Sequence, residues 1–258
     1  MTTYRGAFLW YEVMTSDVAG ARAFYTELLG WGTQGWDNGE GEYTMFTVEG
    51  KPIGGLMELP EEAKKMGAPP HWMGYTGTPD VDATTAQASK LGAKILVPPM
   101  DIPKVGRWSL IQDPQGAMLA AFKPAEAPAA PLPAPEVGQI SWHELATTDA
   151  EAAWKFYEAL YGWKRTQTMD MGPMGPYHLF MASEHQGGGV FNKPKDMPAP
   201  SHWLFYARVA DLEKTLQRCP SLGGKVLHGP EEVPGGDRVA QCADPQGAHF
   251  AVHWKKPA

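Results

Sequence analysis

An α+β fold built twice, each copy from two βαβββ units, is the architecture this sequence predicts, and three observations predict it. First, motifs recur in order at a nearly constant separation. Trp10-Tyr11-Glu12 returns as Trp142-His143-Glu144, Phe24-Tyr25 as Phe156-Tyr157, Gly30-Trp31 as Gly162-Trp163 and His71-Trp72 as His202-Trp203. Asp113-Pro114-Gln115-Gly116-Ala117 likewise returns as Asp244-Pro245-Gln246-Gly247-Ala248. A period of about 130 residues is the size of a whole domain rather than of a solenoid repeat. Second, a strand, a helix and several strands follow one another twice within each copy, giving four units. Third, the stretch PAEAPAAPLPAP from Pro124 to Pro135 spaces five prolines among small residues. Such a stretch builds neither a helix nor a central strand, and at ~3.1 Å per residue it reaches roughly 35 Å. The reading is a first domain over 1–123, a linker over 124–137 and a second domain over 138–258.

The elements follow in order. Residues 6–15 (GAFLWYEVMT) are aromatic and β-rich, as in a buried strand. Ser16-Asp17 supply N-cap chemistry, and Ala21, Phe24, Tyr25, Leu28 and Leu29 recur at helical spacing up to Gly30, a left-handed cap. Short strands are expected around 32–36, 43–48 and 52–58. Residues 70–77 restart the pattern, Pro79-Asp80 opens a second helix ending at Leu91-Gly92, and 94–97, 107–112 and 117–122 read as strands. A lone βαβββ unit leaves one sheet face uncovered, so units are expected to pair around a concave surface.

Composition bounds the function. A net charge of −7, with no Lys/Arg run to neutralise a row of phosphates, argues against a nucleic-acid partner. No apolar stretch approaches the ~20 residues that span a bilayer, so no membrane partner is expected. Cys219 and Cys242 are the only cysteines and have no first-half counterparts, which points to a reducing cytoplasm rather than a disulfide framework.

Asp17, Phe24-Tyr25 and Leu28-Leu29-Gly30-Trp31 repeat as Asp149, Phe156-Tyr157 and Leu160-Tyr161-Gly162-Trp163. Together with Asp80-Val81, Leu91-Gly92-Ala93 and the Asp-Pro-Gln-Gly turns, these motifs resemble the vicinal oxygen chelate superfamily of glyoxalases, bleomycin-resistance proteins and extradiol dioxygenases, and within it a tandem two-domain bacterial branch. The resemblance implies two tandem glyoxalase-like domains. It leaves the activity open, because that superfamily spans isomerases, dioxygenases, thiol transferases and binding proteins.

In such enzymes a divalent metal is held by His, Gln or Glu on strands lining the concave sheet. The positions matching those ligands are Trp10 and Trp142 on the first strands, Met73 and Leu204 on the fifth, and Ala120 and Ala251 on the last. Glu58 and its counterpart Asn192 match a fourth. Indole, aliphatic and methyl groups offer a cation no lone pair. No metal site and no cofactor are therefore expected, with a shifted divalent-metal site as the alternative. His249 and His253 stand about 13 Å apart on one strand at ~3.3 Å per residue, too far to share an ion, though either can be joined by His202 or Glu144.

Strand alternation puts Trp10, Glu12 and Met14 on one face of the first strand, and His71, Met73 and Tyr75 on that of the fifth. The second copy gives Trp142, Glu144 and Ala146, then His202, Leu204 and Tyr206. The expected ligand-binding set is Trp10, Glu12, His71, Tyr75, Trp142, Glu144, His202, Tyr206 and His249, with Glu144 and His202 as catalytic candidates. The two tryptophans either wall a pocket or plug it. Glu12 and Glu144 each need a partner on the inward face, either the imidazole of His71 or His202, as an acid–base pair or a structural bond, or a backbone group; a functional role is expected for Glu144 and a structural one for Glu12. Arg107 and Arg238 either receive an anionic group or remain solvated, and the Asp-Pro-Gln-Gly turns are architectural.

The second copy gains His143, His249 and His253 where the first has Tyr11, Met118 and Phe122, so its cleft should be the more polar and the two copies should bind differently. The function read from these residues is small-molecule binding of the sequestration or resistance kind. A glyoxalase-like lyase or isomerase, or a dioxygenase, using a shifted metal site or a Glu–His pair in the second domain, is the alternative. The sequence leaves the oligomeric state open.

Overall fold

Aspartates set the starts of the four long helices. The computed structural model describes residues 4–37 and 42–257. In it Asp17, Asp80, Asp149 and Asp211 all lie in extended backbone just before a helix. Each accepts from the amide three residues on, those of Gly20, Ala83, Ala152 and Lys214, at 2.9–3.0 Å. Such a cap stabilises a helix by about 1 kcal/mol. Gly30 and Gly162 close the first and third of these helices at φ 71° and 77°, the left-handed region where a side chain would be strained.

Four βαβββ units result. The first is β1 (Phe8–Thr15), α1 (Val18–Leu29), β2 (Gly32–Asp37), β3 (Glu42–Val48) and β4 (Lys51–Glu58). After a five-residue helix α2 (Glu61–Lys65) comes the second: β5 (His71–Gly77), α3 (Val81–Lys90), β6 (Lys94–Ile102), β7 (Gly106–Gln112) and β8 (Met118–Pro124). The third is β9 (Ile140–Thr147), α4 (Ala150–Tyr161), β10 (Lys164–Asp170), β11 (Pro176–Met181) and β12 (Gly187–Asn192). The fourth is β13 (His202–Arg208), α5 (Leu212–Ser221), β14 (Lys225–Glu232), β15 (Arg238–Ala243) and β16 (His249–Trp254). The strands form two eight-stranded mixed sheets, ordered β2-β3-β4-β1-β5-β8-β7-β6 and β10-β11-β12-β9-β13-β16-β15-β14.

Two details depart from the sequence reading. Helix α2 was not anticipated: five residues are too few to show a helical period. Strand β6 runs on through Pro98-Pro99, where the sequence suggests a stop at Val97. It lies at a sheet edge, and register shifts between Ile95/Val97 and Val97/Met100 carry the chain past residues that cannot donate to a ladder.

Spatially, the chain divides into two compact units, one of residues 1–9, 73–134 and 143–203, the other of 10–72, 135–142 and 204–258. Each draws one βαβββ unit from each half of the sequence, and each is held by the same three-residue bond. In the first unit Trp203 Nε1 donates to the Tyr157 hydroxyl (3.2 Å), which donates to Asp113 Oδ2 (2.9 Å). In the second, Trp72 Nε1 donates to the Tyr25 hydroxyl (2.8 Å), which donates to Asp244 Oδ2 (3.0 Å). The other carboxylate oxygen caps the Asp-Pro-Gln-Gly turn: Asp113 Oδ1 accepts from the amides of Gln115 and Ala117, Asp244 Oδ1 from those of Gln246 and Ala248. The turns are architectural, as expected, and they also fasten a helix from the other sequence half. Aromatic packing surrounds each anchor: Trp163 stacks on Phe180 with centroids 4.5 Å apart in the first unit, and Tyr25 lies edge-on to Trp72 at 5.2 Å in the second.

Candidate functional site

The two glutamates singled out in the sequence lie on the first strands of their βαβββ units and are held in the same way, by residues the sequence reading missed. Tyr43 on β3 donates its hydroxyl to Glu12 Oε1 at 2.5 Å, and Tyr177 on β11 donates to Glu144 Oε1 at 2.7 Å. Glycine makes the crossing possible. In the parallel pairings of β1 with β4 and β12 with β9, Glu12 sits beside Gly55 and Glu144 beside Gly189. The tyrosine ring from the next strand lies over that glycine, where a methyl group would collide with the Tyr43 hydroxyl or the Tyr177 ring. The signal was present in the sequence: Tyr43-Thr44-Met45-Phe46 with Gly54-Gly55 returns as Tyr177-His178-Leu179-Phe180 with Gly188-Gly189.

The surroundings differ. Glu12 is 5% exposed, and the Tyr43 oxygen also receives Trp10 Nε1 at 3.1 Å. Burial, with the Glu12 charge and hydrogen bond behind it, pushes the Tyr43 hydroxyl far above its ordinary range, so it stays a donor. Glu144 is half-buried, and Tyr177 stacks on Phe191 at 5.8 Å.

The ring nitrogens of His71 and His202 face carbonyls of their own chain segments. His71 turns its Nδ1 to the Pro69 carbonyl at 2.8 Å, and His202 to that of Pro200 at 2.9 Å. Among the described residues no hydrogen bond joins either imidazole to Glu12 or Glu144. Each ring thus bonds the carbonyl two residues earlier in its own segment. Tyr75 is buried near Trp108 and Phe122, with centroids 6.0 Å away in each case.

Three of the positions matching metal ligands in the second half, Trp142, Leu204 and Ala251, lie in one apolar cluster with Tyr206 and Val239. In the first half the Trp10 indole is a hydrogen-bond donor to Tyr43. Glu58 is exposed and paired with Lys64 at 2.7 Å, while Asn192 Oδ1 caps α4 by accepting from the Ala150 amide. Among the described residues no group of three or more His, Cys, Asp or Glu side chains converges on a point that a cation fits. At the matching positions, the side chains of Trp10, Trp142, Met73, Leu204, Ala120 and Ala251 do not suit the oxygen- and nitrogen-bound divalent ion of this fold.

The extra imidazoles of the second half have three different surroundings. His143 is fully buried, stacked on Phe8 at 3.9 Å, with Nδ1 on the Gly187 carbonyl at 2.9 Å. Burial lowers its pKa to about 4. Strand alternation puts His143 on the opposite face of its strand from Trp142 and Glu144. His249 is exposed at the start of β16, and His253 is engaged at both nitrogens, by Ser141 and Asp237. Arg107 forks onto Asp82 and reaches Asp101, and Arg238 pairs with Glu213 at 2.7 Å. Both guanidiniums are thus occupied by carboxylates, Asp82 and Glu213 standing in the first turns of α3 and α5.

Comparison with known proteins agrees with this geometry. The family model described as "Glyoxalase/Bleomycin resistance protein/Dioxygenase superfamily" matches residues 7–120 and again 139–252. The chain is 35% identical to the Mycobacterium tuberculosis protein named "Putative glyoxylase CFP32", over 96% of this chain and 94% of that one. It is 31% identical to the "Anthracycline biosynthesis protein DnrV" of Streptomyces peucetius, over 96% and 92%. In fold it resembles the Mn(II)-bound glyoxalase from Novosphingobium aromaticivorans, with TM-score 0.67 and 16% identity over 96% of this chain and 81% of that one. The 2,3-dioxygenase LapB from a Pseudomonas species gives TM-score 0.63 at 13% identity, over 96% and 91%. Repeated motifs, four βαβββ units and two matches to one family model lead to one conclusion: the chain belongs to the glyoxalase/bleomycin resistance protein/dioxygenase superfamily.

Proposed function

We propose that this chain is a small-molecule binding protein that works without a metal and recognises its ligand through a tyrosine-held carboxylate. The observation that carries this reading is the repeated Tyr–Glu bond, Tyr43 to Glu12 and Tyr177 to Glu144; tryptophan and aliphatic side chains at the positions a metal would need support it. A carboxylate held in place by a phenol is a fixed acceptor for a ligand hydroxyl or amine, and aromatic side chains nearby suit a planar partner. The similarity to an anthracycline biosynthesis protein supports a polycyclic aromatic ligand of that class. Sequestration of such a compound in the cytoplasm is the role this reading assigns. Two free buried cysteines, Cys219 and Cys242, agree with a reducing compartment. Among the described residues no helix is long and apolar enough to cross a membrane.

Titration with an anthracycline, followed by tryptophan fluorescence, tests the reading. Saturable quenching is expected in protein whose metal content is well below one ion per chain. It should be lost in Glu144→Gln while the melting temperature holds. Quenching that does not saturate, or that appears only after a divalent ion is added, refutes it.

A second reading, a metal-independent lyase or isomerase, is favoured by the half-buried state of Glu144, which gives that carboxylate access to a ligand proton. Ligand recovered from deuterium oxide separates the two: deuterium uptake means proton transfer, and its absence means binding alone.

A further inference from the structure

We propose that Ser141, His253 and Asp237 form a nucleophilic site that accepts acyl groups from activated esters, separate from the Tyr–Glu pairs. Ser141 Oγ lies 2.8 Å from His253 Nδ1, and His253 Nε2 lies 3.0 Å from Asp237 Oδ2. All three residues belong to the unit of residues 10–72, 135–142 and 204–258.

The order of the bonds fixes the proton positions. An ionised Asp237 only accepts, so His253 carries its proton on Nε2 and leaves Nδ1 as a lone pair facing the serine. Asp237 is held in turn, because its Oδ1 accepts from the Lys256 amide at 3.0 Å. Ser141 has a second acceptor nearby, the Tyr206 carbonyl at 3.3 Å, but the shorter contact to Nδ1 claims its one proton. Burial keeps His253 below the ordinary histidine range, so at neutral pH it is the free base this geometry needs. Nucleophile, base and orienting carboxylate are thus in hydrogen-bond sequence.

Ser141 and Asp237 are reachable: Ser141 is half-buried, and the Asp237 side chain is 29% exposed against 13% for His253. Arg208, opposite His253 in the β13–β16 register and donating to the Pro135 carbonyl at 2.9 Å, adds positive charge near the imidazole and helps to keep it neutral. The first copy carries none of this: Leu9, Phe122 and Gly106 stand at the matching positions. The three polar residues come together in one copy only, and the other copy builds the same fold without them.

In the reaction, Ser141 Oγ attacks the ester carbonyl carbon as its proton passes to His253 Nδ1. The carbon–oxygen bond to the leaving group then breaks, and that group departs with the proton. Water attacks the acyl-serine by the same route, releasing the carboxylic acid and restoring the hydroxyl.

An alkyl fluorophosphonate tests the site on the full chain, because the serine oxygen displaces fluoride and leaves a stable adduct readable by mass spectrometry. Labelling at Ser141, absent in Ser141→Ala of unchanged melting temperature and slowed about a hundredfold or more in Asp237→Asn, supports the proposal. Wild-type labelling no faster than that of Ser141→Ala, a label on another residue, or undiminished labelling of Asp237→Asn overturns it.

Discussion

His143 provides a measurable test of whether the second copy's added imidazoles belong to a binding cleft or to the core. Its ring is stacked on Phe8 and fully buried, and its pKa is lowered to about 4, chiefly by that burial and despite the Gly187 carbonyl at Nδ1. In the unfolded chain a histidine titrates near ~6.5. Above that pH both states are neutral and His143 adds no pH dependence. As the pH falls through ~6.5 the unfolded chain takes up a proton that the folded chain refuses, so stability is lost progressively down to the folded value. At about pH 5 the difference is about 1.5 pH units at 1.36 kcal/mol each, or about 2 kcal/mol. His178 and His253 are also lowered by burial and steepen the wild-type dependence, so the measurement is differential. His143→Gln keeps a donor for the Gly187 carbonyl and removes the titration. Urea unfolding of both proteins at about pH 7.5 and about pH 5 should show the variant losing about 2 kcal/mol less than the wild type. Equal losses would mean that His143 is solvated, and the assignment to the core would fall.

The other predictions concern the anchors and the Tyr–Glu pairs. Tyr25→Phe and Tyr157→Phe each strand a buried carboxylate oxygen and an indole N–H, and each should cost about 1–3 kcal/mol in urea unfolding. A cost near zero in both would show that these bonds do not hold the units. Gly55→Ala and Gly189→Ala push the tyrosine off its glutamate. Gly189→Ala should abolish anthracycline quenching as Glu144→Gln does, and unchanged quenching would remove Tyr177 from the site.

Much of this fold is legible in the sequence because its signals are local. An aspartate before a helical stripe and a glycine after it fix α1 and α4 to within a residue or two, and the Asp-Pro-Gln-Gly turns fix the start of the last strand of each copy. The strand β6 beyond Val97 was not legible, since prolines read as stops unless the strand is known to be an edge. In the site, alternation brought out Glu12 and Glu144 but not their partners. Tyr43 and Tyr177 reach them from two strands away, a relation that depends on the order of strands in the sheet and on the bareness of Gly55 and Gly189. The imidazoles of His71 and His202 bond the carbonyls of Pro69 and Pro200, a local pairing that strand alternation does not show. The partnership of Ser141 with Asp237 and His253 spans three separate segments and carries no motif.

The exchange of βαβββ units between the sequence halves has a consequence for synthesis in the cell. Tyr25 bonds to Asp244, 219 residues farther along the chain. At ~5–20 residues per second the ribosome takes roughly 10–40 s to deliver that partner. For that interval the apolar faces of α1 and β1 have left the exit tunnel while the strands that complete their unit do not yet exist. The first half is therefore expected to emerge as a client of holdase chaperones, and its final packing to be gated by translation of the last strand rather than by any step within the first 123 residues.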